Sequence, residues 1–359
     1  MKQDIKVKVI PARSIDVGYQ NVKFSKGRKR DGDSVEIECG LFAAFAPTVS
    51  ANQLLYAQGT QQADALLVGV NGNNYMVGNR AKSYTRNVQA RLVDPKYCLS
   101  DPYYAMFLGA LSYIAEDAGA GQEVIIDTLG VGLPLNTYAA NHAALAEKLT
   151  GEHLIGPLGG PVLRRVTVRH VEVMVQPHGA LLNYGSRPKN SLDGATLVVD
   201  VGGGTLDWFL LDEDREIAWT RSGAFPQAML HISQTIAEQI EEGLSRDIAA
   251  MSVVDKAVRH RDPTFKIGPH VYEMQKFRTL VDSALDESVK AMLEKTGALT
   301  TVGRILFTGG GAVVYREYME RKYKQWKDAM EIDEEPVFAN VRGFQVAAEQ
   351  VAADRGVVQ

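Results

Sequence analysis

With 359 residues, 45% of them hydrophobic and 23% charged, the sequence can bury one large core or two medium ones, and bulk disorder is excluded. A formal net charge of -4 excludes binding to nucleic acid by overall charge, and no apolar run reaches the ~18 residues of a membrane span. Two cysteines, Cys39 and Cys98, are too few for a disulfide framework, and residues 1–9 lack the apolar core of a signal peptide. The expectation is a cytoplasmic protein.

Residues 6–24 carry Val, Ile, Tyr and Phe around a break at Gly18, which predicts a strand, a tight turn and a second strand. Residues 27–32, with the basic run Arg28-Lys29-Arg30, read as a polar turn, and 34–45 as a third strand. Residues 65–70 and 74–77 flank Asn71-Gly72-Asn73 as a hairpin. Asp101 as cap and Pro102 at the first helical position open a helix that runs to about Glu116. A short apolar strand over 123–131 ends in Gly132-Leu133-Pro134, a helix follows over 137–149, and 164–175 alternates as a strand. Gln176-Pro177-His178-Gly179-Ala180 opens a short helix. Residues 196–200 form a buried strand, followed by three glycines and a strand to Leu211. Residues 226–294 read as mostly helical, 304–307 as a buried strand, 315–327 as a helix, and 338–344 as the approach to a last helix. The strand–glycine turn–strand unit of the N-terminus thus recurs in mid-chain, indicating an α/β protein with two similar halves.

Three glycine sites carry the candidate chemistry. In Asp16-Val17-Gly18-Tyr19-Gln20-Asn21-Val22-Lys23 and in Asp200-Val201-Gly202-Gly203-Gly204-Thr205-Leu206-Asp207, an Asp ends an apolar strand and a glycine turn follows. Glycine permits positive φ and lets an anion approach bare backbone, where successive N–H groups form a nest. A carboxylate beside such a nest makes sense with Mg²⁺ between it and a phosphate. Either loop alone reads equally as an ordinary hairpin; together they stand half a chain apart, which two unrelated turns do not explain. The third site, Thr308-Gly309-Gly310-Gly311-Ala312, lacks an Asp, precedes a helix and suits a flat adenosine lying on backbone, or a plain strand-to-helix turn. No Gly-Lys-Ser/Thr follows a glycine loop and no Gly-x-Gly-x-x-Gly follows a first strand, so neither a Walker loop nor a dinucleotide fingerprint is present.

Taken in order, Asp16-Val17-Gly18, Gln176 to Ala180, Asp200 to Thr205, Thr308 to Ala312 and Asn340-Val341-Arg342-Gly343 resemble the actin, Hsp70 and sugar-kinase superfamily over nearly the whole chain. Val131-Gly132-Leu133-Pro134-Leu135 and the closing Phe338 to Phe344 narrow this to the plasmid-segregation ATPases of the ParM/StbA type. The first loop is also similar to that of the StbA-like protein D family of the PRTRC system. The resemblance implies an actin-like, ribonuclease H-like fold of duplicated domains with a nucleotide cleft between them. Domain I would take residues 1–175, with a small strand-rich subdomain near 25–95; domain II would take 176–305, with a helical subdomain near 226–300. Residues 306–359 would return to domain I. ATP and Mg²⁺ are the implied cofactors. Asp16 and Asp200 would face the phosphates and the metal's water shell, with Gln176 orienting the attacking water, and these three are the catalytic candidates. Gly18, Tyr19, Asn21, Lys23, Gly202, Gly203, Gly204, Thr205, Thr308, Gly309, Gly310 and Gly311 would bind the nucleotide. Ribose contacts would come from the helical region near 239–246.

Other features have plainer readings. His178 reads as a helix-start residue near the hinge, and Asp207 as the end of a hairpin turn or as a solvent-facing residue. The tyrosines at 97–104 read as core packing first and as an assembly surface second. The histidines show no zinc spacing, no Gly-x-Ser-x-Gly elbow is present, and the basic run is too small for direct nucleic-acid binding. The expected activity is slow ATP hydrolysis coupled to head-to-tail self-assembly, with a plasmid-bound adaptor as a further partner and no membrane. A small-molecule kinase of the same superfamily would need a carboxylate beside a substrate pocket. A non-hydrolysing nucleotide-gated adaptor would bind ATP and release no phosphate.

Overall fold

The structure is a computed structural model and describes residues 7–32, 34–50, 65–84, 94–190 and 193–357. Lys6, at the start of the first expected strand, and residues 51–64 and 85–93 of the expected small subdomain lie outside the described residues.

Two sheets organise the chain. The first contains β1 (Lys8–Val17), β2 (Asn21–Asp31), β3 (Ser34–Ala43), β6 (Glu123–Leu133), β7 (Gly151–Ile155) and β8 (Arg164–Val175), in the order β3-β2-β1-β6-β8-β7. The second contains β9 (Ala195–Val201), β10 (Leu206–Leu211), β11 (Gly223–Phe225), β14 (Val302–Thr308) and β15 (Met330–Ile332), in the order β11-β10-β9-β14-β15. Each begins with an antiparallel meander and continues with two strands parallel to the first. Apart from β7, which adds an antiparallel edge to the first sheet, the two sheets share one topology, laid down twice along the chain. Every residue of β9 and β10 is buried, which accounts for their unbroken apolar runs. A small hairpin, β4 (Leu66–Val70) and β5 (Asn73–Val77), turns at Asn71 and Gly72, both with positive φ, the geometry that Asn-Gly favours.

Helices cover the sheets. In the first half these are α1 (Asp101–Asp117) and α2 (Leu135–Leu149). The second half carries α4 (Met229–Ile240), α5 (Ile248–His260), α6 (Arg278–Thr296) and α7 (Ala312–Lys322). Between the sheets run α3 (Gln176–Gly185) and α8 (Ala339–Asp354). On α3, Ala180, Leu181 and Tyr184 share a core with Val198, Phe209 and Leu306 of the second sheet. On α8, Ser14 Oγ donates to Val341 O at 2.6 Å and Ser25 Oγ to Gln345 Oε1 at 2.5 Å, so this last helix closes over β1 and β2.

Several local expectations need correction. Arg28-Lys29-Arg30 is not a turn: β2 passes a bulge between Ser25 and Gly27 and continues, because β3 sets acids against it. Lys29 pairs in register with Glu36, Lys26 lies 3.1 Å from Glu38, and Arg28 reaches Glu349 on α8 at 2.7 Å. The cap of α1 is Ser100, whose side chain accepts from Tyr103 N, and Asp101 is the first helical residue. The helix expected at 315–327 starts and stops earlier, as α7, and a 3₁₀ turn follows. Residues 339–344 lie inside α8. The helical region also contains a hairpin, β12 (Thr264–Ile267) and β13 (His270–Glu273), and β7 and β15 are further strands without a sequence signal of their own. No helix among the described residues is long and apolar enough to cross a membrane.

Candidate functional site

The shared topology puts the two glycine hairpins at matching places. Asp16 is one residue from the end of β1 and pairs with Lys23; Asp200 is one residue from the end of β9 and pairs with Asp207. Gly18 N donates to Asn21 O at 3.1 Å and Gly202 N to Thr205 O at 2.9 Å, which closes each turn. The two loops face each other across one cleft. Asp16, Gly18, Tyr19, Asn21, Lys23, Gln176, Asp200, Gly202, Gly203, Gly204, Thr205, Gly309 and Gly310 all line it.

Asp16 is fully buried and its two oxygens are engaged: Lys23 Nζ lies 2.7 Å from Oδ2, and Gln176 Nε2 donates to Oδ1 at 2.8 Å. A buried anion with one ion pair and one amide donor is well compensated. Asp200 is held differently. Asn340 Nδ2 donates to its Oδ2 at 2.6 Å. Burial raises its pKa to about 6 and Asp16 adds to that, while the Asn340 bond and the Lys23 charge oppose it.

The two amides belong to one pattern. Gln176 is the first residue of α3 and Asn340 the second of α8, so each connecting helix brings an amide to the carboxylate of one half. Gln176 was legible in the sequence. Asn340 was quoted there only as part of a motif, although Gln176-Pro177-His178-Gly179 and Asn340-Val341-Arg342-Gly343 both place an amide three residues before a glycine.

Close approach explains two of the glycines. A Cβ at Gly203 would come 2.9 Å from Gln20 Cβ on the opposite loop. At Gly309 φ is +80°, and a Cβ would collide with the Asp200 carboxylate. Thr308 and Gly311 do not line the cleft. Thr308 is buried and donates to Pro336 O at 3.1 Å, while Gly311 packs against Val201 and Met229. The 239–246 stretch does not line it either; the helical region reaches the cleft through Arg259 of α5 instead. Tyr97 lines the wall by stacking on Tyr19, with centroids 4.6 Å apart. Asp207 is the reverse of solvent-facing. It is buried, its Oδ1 accepts from Leu135 N at the start of α2 at 3.0 Å, and burial lifts its pKa to about 7 against a bond from Thr205. His178 stacks on Phe209, away from both carboxylates.

The residues suit a hard cation held through water and phosphate. Among the described residues no group of three or more His, Cys, Asp or Glu could cage a metal. Asp16, Asp94 and Asp200 nevertheless outnumber Lys23 and Arg259 around the cleft, and Asn340 Oδ1 is buried without a hydrogen-bond partner.

Comparison with known proteins fits this geometry. Residues 14–179 match the family described as the N-terminal domain of actin-like proteins. The archaeal actin homologue Ta0583 aligns over 94% of this chain and 99% of its own, at 16% identity and a TM-score of 0.72. The chain has the actin-like fold. The apo ParM protein of pSK41 aligns with the actin-like chain over 98% of it and 99% of its own length, at 18% identity and a TM-score of 0.66. ParM of Bacillus thuringiensis with AMPPNP covers 94% and 98%, at 18% identity and a TM-score of 0.60. No curated relative matches this sequence.

Proposed function

We propose that this actin-like chain is an ATPase that binds Mg–ATP between its two halves, assembles head to tail and hydrolyses ATP, with plasmid partitioning through an adaptor as its task in the cytoplasm. The observation that carries the reading is the cleft itself, where two matching hairpins set Asp16 and Asp200 face to face and Asp16 holds Gln176. In this reading residues 1–175 and α8 form domain I and 176–338 domain II; the return expected at 306 comes only at 339, because β14, α7 and β15 belong to the second sheet and its core. Bound Mg²⁺ would neutralise phosphate charge between the two carboxylates. Gly203 and Gly204 would present backbone N–H groups to the phosphates, Gly18 and Gly202, whose own N–H groups close the turns, would let phosphate approach bare backbone, and Gly309 and Gly310 would give a flat floor to the adenosine. Lys23 would share its charge between Asp16 and a phosphate.

Gln176 is a positioning group. Its Nε2 is committed to Asp16, which leaves Oε1 to accept from an attacking water and aim it in line. Loss of a phosphate would remove what the two carboxylates share, and the halves could part. A head-to-tail contact that does not close on itself builds filaments. Similar solved structures support assembly and nucleotide binding: one is a non-polymerisable quadruple mutant of pCBH ParM, and others are complexes with ATP, AMPPNP or ADP.

The test is sedimentation, imaging and phosphate release with Mg–ATP, with a non-hydrolysable analogue and without nucleotide. Nucleotide-dependent filaments and phosphate release are expected. Soluble protein and no phosphate release under every condition would sink the reading.

A further inference from the structure

Gln20 sits at the tip of the β1–β2 hairpin, in the first half, and commits both ends of its side-chain amide to the second. Its Nε2 donates to Asp255 Oδ2 at 2.5 Å, and its Oε1 accepts from Arg259 Nη2. Asp255 and Arg259 lie one turn apart on α5 and are themselves ion-paired at 2.9 Å, with both side chains mostly buried. An amide offers one donor end and one acceptor end, and here an acid meets the first and a base the second. The contact is therefore matched in chemistry at both ends and charge-assisted at both.

Its position matters as much as its chemistry. Gln20 lies against Gly203 of the opposite hairpin, and the Arg259 guanidinium lies beside Gly310 of the third loop. One chain of contacts thus runs from the first glycine loop, past the second, to the third. Those loops line the space in which the phosphates and adenosine of a nucleotide would lie. The contact therefore bridges the two walls of the space that holds Asp16 and Asp200.

We infer that Gln20, Asp255 and Arg259 form a latch across the cleft, and that nucleotide enters and leaves only when Gln20 lets go of α5. The inference rests on reading the cleft as a nucleotide site. A latch differs from an ordinary ligand contact in its kinetics. It is closed with the cleft empty or filled and is broken only during passage, so it slows entry and exit alike and leaves affinity nearly unchanged.

The experiment is stopped-flow binding of a fluorescent ATP analogue with Mg²⁺ to the full chain. Gln20→Ala is expected to raise both the association and the dissociation rate constants about tenfold, with Kd within about threefold of the parent. Asp255→Ala should move both rates the same way, because Gln20 loses its acceptor and Arg259 loses the group that orients it. Parent-like rates in both variants, with binding intact, would overturn the latch. So would a faster dissociation with unchanged association, which marks a plain ligand contact. If the parent chain binds no nucleotide, the nucleotide reading fails and the latch falls with it.

Discussion

Two buried acids on neighbouring strands set the behaviour of the empty site. Asp200 titrates near 6 and Asp207 near 7 in the folded chain, both lifted first by burial. Both values lie above the ~3.9 of an unfolded Asp. A carboxyl whose folded pKa is raised contributes stability below the unfolded value and loses it as pH climbs through the folded one. The nucleotide-free protein should therefore lose stability between about pH 4 and pH 7, by up to about 3 kcal/mol from Asp200. Asp200→Asn removes that titration. Its melting temperature should exceed the parent's by roughly 2–4 °C at pH 7.5 and match it near pH 4.5. An unchanged pH profile would show that Asp200 is not the group responsible. Gln176→Ala should lower single-turnover hydrolysis about a hundredfold while nucleotide still binds, read by phosphate release beside a binding titration. Equal loss of binding would remove Gln176 from the water-orienting role.

The residues that escaped the sequence share a cause. Asp207 lies at the end of a hairpin, where solvent is the ordinary neighbour; its actual neighbour, the first amide of α2, comes from the other half. Asn340 stands inside a helix, where its side chain would be free were the end of β9 not brought against it.

At the level of elements, α3 and α8 cross where neither can carry a side chain. A Cβ on Gly343 would overlap the carbonyl of Gly179. Gly343→Ala must push the helices apart, and overpacking of this kind costs about 1–3 kcal/mol or more. Urea denaturation should show that loss. Gly303→Ala, where an added Cβ meets nothing nearer than 4.0 Å, should stay within about 0.5 kcal/mol of the parent. Equal effects from the two would discard the crossing as a tight contact. The hairpins bearing Asp16 and Asp200 were legible because strand, glycine and strand sit side by side in sequence. The continuation of β2 through Arg28-Lys29-Arg30 was not, because the acids that neutralise it arrive from β3 and from α8. The hairpin of β12 and β13 was hidden among helices by its short strands.

For the whole molecule, one sheet order written twice explains why the spacing of two short motifs carried so much of the fold. The facing of the halves was less legible, since it depends on side chains from distant parts of the chain. Asp207 is one of these. Asp207→Ala removes the carboxylate from the start of α2, where Pro134 offers no side-chain cap. Hydrogen exchange should then quicken at the first turn of α2, with the strands of both sheets unaffected. Unchanged exchange there would mean that the contact holds nothing in place.

The closure of β1 and β2 by α8 has a consequence for synthesis. Phe344 fills the space left by Gly130, Gly132 and Gly179, and Gln345 reaches Ser25 and Ala12 O. Gly130, Gly132, Ser25 and Ala12 belong to the N-terminal sheet, and the helix that covers them is translated well after it. Until then the nascent chain presents an apolar floor without a lid, a surface that chaperones bind. Residues 1–175 made alone should bind a hydrophobic dye and aggregate, and adding residues 339–357 as a separate peptide should reduce both.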